Sequence, residues 1–194
     1  HIAVGALSGQ ANAVDAGAGS ARALATTLIV APTIQINGEL RVVDSAFNLD
    51  GHGAGNIGAS GVAELTLGGN GANVHVGDIL VAGGASNSGS GRVNAHALFN
   101  FAGVDTLTVQ GITISDVAFN GSDGTGAVTA QAVFSAGADI NLSLDALSLA
   151  ALAVDPAGNG ALASARGRIT QPGITLASGV FARANAFNGS GGAG

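Results

Sequence analysis

The chain has 194 residues, 33 of them Gly, and only 6 basic groups, all Arg, against 12 acids. A net charge of −6 excludes the basic stripe that a nucleic-acid partner would need, and no apolar run approaches the ~18 residues of a membrane span. Without Cys there are no disulfides and no thiolate chemistry, and without Lys the remaining nucleophiles are few.

The first predicted element is a strand around Ile2 and Val4, closed by Gly5. It leads to the triplet Ala13-Val14-Asp15, the loop "AGAG" and a further strand, "SARALATTL" (20–28). The same order returns with Ile34/Ile36, Gly38 and Ala46-Phe47-Asn48, followed by the longest loop, 48–61. The third copy runs through Val74/Val76, Ala85-Ser86-Asn87 and "SGSG" into "GRVNAHALF" (91–99). The fourth holds Leu107/Val109, Gly111, Ala118-Phe119-Asn120, "GSDGTG" and "GAVTAQAVF" (126–134). The fifth holds Leu142/Leu144, Ala146, Ala153-Val154-Asp155, "PAGNG" and "ALASARGRI" (161–169). The last begins at Ile174/Leu176 and Gly179 and stops after Ala186-Phe187-Asn188 and "GSGGAG".

The Asx positions of the triplets are separated by 33, 39, 33, 35 and 33 residues. The chain therefore divides into six units of about 34 residues, 1–32, 33–72, 73–105, 106–140, 141–172 and an incomplete 173–194. Each unit alternates with period two, the signature of strand, and none shows helical spacing. In the best-matched pair the inward set is Val93, Ala95, Ala97 and Phe99, then Val128, Ala130, Ala132 and Phe134. Ile112 and Ile114 share one parity while Val117 and Phe119 have the other. Two apolar parities within one strand predict a bend or bulge between them.

A unit with an alanine wall cannot bury a core alone, but stacked on copies of itself it can. Small residues on one wall let the Ile, Val, Leu and Phe of the other approach closely. The expected fold is all-β, a parallel β-solenoid (β-helix) forming a single segment over 1–194. At ~4.8 Å per rung, six units make a stub on the order of 29 Å long. An antiparallel sandwich shares the short strands and regular turns but leaves the position-specific repetition unexplained.

Units such as "AGADINLSLDALSLAALAVDPAGNGALASARG" resemble giant repetitive bacterial exoproteins, the filamentous-haemagglutinin-like and related long surface adhesins. The resemblance is one of repeat style and spans nearly the whole chain, although these units are longer than the commonest ones of that family. It implies a right-handed β-helical shaft in an extracellular or cell-surface fibre, with no catalytic residues to carry over.

The most regular polar feature is the Asx column, Asp15, Asn48, Asn87, Asn120, Asp155 and Asn188. Stacked amides at a corner bond along the stack, so the column reads as a structural ladder. For calcium the candidates are Asp44 with Asp50 and Asp116 with Asp123, each pair in one loop region, with no matching acid in the unit between. Two such carboxylates fall short of the 6–8 oxygens calcium takes, and the expectation is no cofactor. The same acid pairs could serve glycoside chemistry only without Trp or Tyr platforms, so no enzyme is expected. His1, His52, His75 and His96 fall in different parts of the repeat and predict no zinc site. The expected partner is self, end to end or within a longer chain. The alternative is a surface module that recognises a ligand, glycan or cell surface through the 48–61 loop.

Overall fold

The computed structural model describes residues 1–16, 19–49, 57–88, 91–121, 126–137, 140–169 and 174–189. They form ten strands: β1 (Ile2–Val4), β2 (Leu7–Asp15), β3 (Ala21–Val30), β4 (Thr33–Asn48) and β5 (Ile57–Asn87), then β6 (Arg92–Asn120), β7 (Val128–Ala136), β8 (Asn141–Asp155), β9 (Ala161–Ile169) and β10 (Ile174–Asn188). The described residues contain no helix, and so none long and apolar enough to cross a membrane.

Every strand pairing is parallel and joins equivalent positions of successive units. On the first wall Ile2 lies beside Ile34, Ile34 beside Val74, Val74 beside Leu107, Leu107 beside Leu142, and Leu142 beside Ile174. On the last wall Ala21, Ala59, Val93, Val128 and Ala161 follow one another. The result is a β-solenoid of five turns, with β10 pairing onto β8 as the start of a sixth. The solenoid expectation is borne out, and the sandwich is not what forms.

The interior is the sum of these columns. Ala63, Ala97 and Ala132 are fully buried in one row, and Leu40, Ile79, Ile112 and Leu147 fill another. Large side chains collect where the walls spread: Phe99, Phe101 and Phe134 meet edge to face with centroids 4.4 to 5.9 Å apart, the arrangement aromatic quadrupoles favour. Corners close tightly. A Cβ on Gly77 would stand 2.8 Å from the carbonyl oxygen of Gly38, and one on Gly38 2.7 Å from that of Gly5. Gly71 and Gly103 turn a later corner with φ of +68°, which side chains with a Cβ adopt at a cost.

One expectation fails. There is no bend between Ile114 and Val117: β6 continues with Ile112, Ile114, Asp116, Ala118 and Asn120 all facing inward. Val117 and Phe119 instead face out, 45% and 42% exposed. The reason lies in stacking. Val14, Phe47, Ser86, Phe119, Val154 and Phe187 form one outward row, and pairing in register with these equivalent residues holds Phe119 outward without a reversal of the strand.

Ala97→Asp places a carboxylate in a fully buried row. The expected loss is more than ~4 kcal/mol of unfolding free energy in urea titration, with cooperative folding gone. Asn94→Asp, on the outward parity of the same strand, changes stability by no more than ~0.5 kcal/mol. Phe134→Ala should cost about 3–5 kcal/mol by the cavity it leaves.

Candidate functional site

The Asx column sits inside, at the corner where each turn leaves its second wall. Asn48, Asn87, Asn120 and Asp155 are buried, and register pairs Asp15 with Asn48, Asn48 with Asn87, Asn87 with Asn120, and Asp155 with Asn188. A side-chain hydrogen bond runs along the column, Asn87 Nδ2 donating to Asn120 Oδ1 at 3.3 Å. Most of the capacity goes elsewhere. Asn48 Nδ2 donates to the carbonyl of Gly19, and Asn120 Nδ2 to that of Gly126 at 3.1 Å. Asp155 Oδ2 accepts from the Gly160 amide at 2.8 Å. Asn120 and Asp155 thus clamp the Gly-rich loop that follows them, and Asn48 the loop of the preceding turn, satisfying loop backbone groups that the ladder cannot reach.

Four residues before the Asx lies a second inward column: Ala11, Asp44, Gly83, Asp116, Ala151 and Ala184. Here the structure departs from the loop pairs expected for calcium. Asp44 and Asp116 are strand residues pointing into the core, 2% and 1% exposed, and they face each other across Gly83. Asp50 and Asp123 lie outside the described residues, as do His52 and positions 50–56 of the 48–61 loop. The inward parity of β4 and β6, unbroken through Ala46 and Ala118, carries both aspartates inside.

An atom at the Cβ position of Gly83 would touch Asp116 Oδ1 and stand 3.1 Å from the His96 carbonyl oxygen and 3.2 Å from Asp44 Oδ1. Gly61 occupies the opposite wall, in the row that otherwise carries Ala23, Ala95, Ala130 and Ala163. A Cβ there would run into Asp44 Oδ2 and the Gly84 carbonyl oxygen. The strand ladder also yields. Pairing of β4 with β5 lapses across Asp44 and Ser45 and resumes at Ala46–Ala85 in the same register.

Asp116 Oδ2 accepts a 2.6 Å bond from the Gln131 amide, while its Oδ1 and both oxygens of Asp44 make no hydrogen bond of good geometry. Burial lifts the Asp44 carboxyl from 3.8 to about 7, although the Gly84 and Val62 amides pull it down. Burial lifts Asp116 further, to about 9, with the Gln131 amide opposing and the charge of Asp44 adding.

The remaining polar residues do not converge. His75 is exposed, and His96 faces out with its Nδ1 3.3 Å from Gln131 Oε1. Among the described residues no group of three or more His, Cys, Asp or Glu side chains comes together. Outside, a groove of about 400 Å³ runs past Val117, Leu152, Arg183 and Phe187.

Because both carboxyls bind a proton more tightly folded than unfolded, their contribution to stability is complete below pH ~4. It is lost as pH rises through their folded values, about 7 for Asp44 and about 9 for Asp116. In chelator, the melting midpoint therefore falls between pH 5 and 9, and Asp116→Asn flattens the upper part of that fall; a midpoint constant across the range contradicts the buried pair. Sequence and structure comparisons add no identity, since the chain matches no protein-family model, no curated protein and no solved structure.

Proposed function

We propose that this chain is a structural module, a rigid, non-catalytic stretch of shaft in an extracellular or cell-surface bacterial filament or adhesin. Its partner is more of the same solenoid. One observation carries the reading. Inward rows that are sealed in the middle of the stack lie open on its outer turns: Leu147 is 0% exposed, while Val180, its partner one rung on, is 47% exposed. Val4 and Leu7 are similarly open on the first turn, although Ile36 and Leu40 below them are closed. An uncovered rung presents apolar side chains and unpaired strand backbone together, which is the surface another rung completes. The resemblance in repeat style to filamentous-haemagglutinin-like shafts points the same way.

The test is assembly. Electron microscopy of the native material should find uniform fibres, and aligned samples should diffract at ~4.8 Å along the fibre axis. Val4→Lys together with Leu176→Lys charges both open rungs. That double variant should keep the β circular dichroism of the parent and lose concentration-dependent association in sedimentation. A parent chain that stays monomeric at high concentration, within a native protein that forms a discrete globular head, would overturn the reading.

A further inference from the structure

We propose that the buried oxygen cluster of Asp44, Asp116 and the His96 carbonyl around Gly83 is a binding site for one hard divalent cation of calcium's class, which ties the second, third and fourth turns together. The proposal does not depend on the shaft reading.

Three features converge on it. First, two buried carboxyl oxygens without a hydrogen bond of good geometry, Asp44 Oδ1 and Asp116 Oδ1, point at one position. Asp44 Oδ1, Asp116 Oδ1 and the His96 carbonyl surround the place a Gly83 side chain would take, and both carboxyls are almost wholly buried. Second, the chain gives up ordinary packing around the two carboxyls. Gly83 stands between the two aspartates, Gly61 replaces the alanine of its row opposite Asp44, and β4–β5 pairing lapses at Asp44 and Ser45 without the register shift that marks its other lapse, at Asn37 and Gly38. Third, the surroundings hold no positive charge to balance two carboxylates, since among the described residues neither aspartate forms an ion pair. Buried carboxylates are kept charged by a partner or a metal, and otherwise neutralise.

The donor chemistry selects the ion. Asp44 and Asp116 each offer Oδ1 beside Gly83, where the His96 carbonyl also lies, while Asp44 Oδ2 and the Gly84 carbonyl lie toward Gly61. All are hard oxygens, with no thiolate or thioether in the chain and the His96 ring turned outward. Such a set suits calcium or magnesium and not the softer transition metals. Two carboxylates match a charge of two, and a mixture of carboxylate, carbonyl and water oxygens suits calcium's tolerance of irregular geometry better than magnesium's demand for an octahedron.

Metal content and melting together test the proposal on the 194-residue chain. Because the chain has neither Trp nor Tyr to sensitise a lanthanide, bound metal is counted by plasma mass spectrometry after dialysis against calcium chloride, magnesium chloride or EGTA. One equivalent of calcium per chain is expected, with a melting midpoint several degrees above that in EGTA and a smaller rise in magnesium. Asp116→Asn and Gly83→Ala should each lose the ion and the calcium-dependent rise. Asp78→Asn and Asp145→Asn, at exposed positions, should keep both. If the site variants fail to fold, the wild-type stoichiometry and calcium response still decide. No bound calcium at millimolar concentration, or equal midpoints in calcium and EGTA, overturns the site and leaves the pair neutralised by protons. Calcium retained in a folded Asp116→Asn chain overturns it equally, by locating the ion elsewhere.

Discussion

The structure depends on one constraint: no turn can close its own interior. Each rung contributes a ring of backbone and one layer of side chains, and that layer is sealed only by the layers above and below. In-register parallel pairing is therefore both the hydrogen-bonding scheme and the mechanism of hydrophobic burial. The alanine rows follow from the same constraint. At Ala63, Ala97 and Ala132 the walls come close, and a larger side chain in one rung would push against its neighbours on both sides. The phenylalanines lie where the columns leave room, with Gly167 following Phe134 in the next turn.

Polar groups inside such a stack are tolerated on strict terms. The Asx column meets them at the corners, where Asn120 and Asp155 reach backbone groups of their own loops and Asn48 the Gly19 carbonyl of the preceding one. The loops are glycine-rich and leave backbone groups unpaired, so an amide or carboxylate at the corner replaces the missing partner. Asp44 and Asp116 sit four residues earlier on their strands, where the opposite wall supplies a single well-aligned amide, that of Gln131, to one of the two. An alanine pair would pack this level of the column more simply. Two carboxyls with glycines cleared around them are what a ligand would need and what packing alone would not select.

Much of this was legible in the residues, and the part that was not has one cause. Ile2, Ile34, Val74, Leu107, Leu142 and Ile174 stand in register in the fold as they do in the repeat, because a stack of equivalent rungs has no other way to align them. The buried aspartates were obscured by reading Val117 and Phe119 as inward, which required a bend just before them. Taking Ala118 and Asn120 as the inward residues would have carried Asp116 inside with them, and Asp44 by the same count from Asn48. Hydrophobicity misled here because Val117 and Phe119 stay partly exposed on outward rows that in-register pairing with neighbouring turns holds in place, an effect that a single strand does not reveal.

By itself the sequence determined the period, the parallel stacking and the identity of the repeating columns, because these follow from equivalent residues recurring at equivalent positions. Only the tertiary structure decided which parity of the second wall faces inward. It also decided that two acids 72 positions apart in the chain are buried on either side of one glycine, Gly83. That proximity comes from stacking two turns apart on a common column, and the distance between rungs, not the distance along the chain, sets which charges meet.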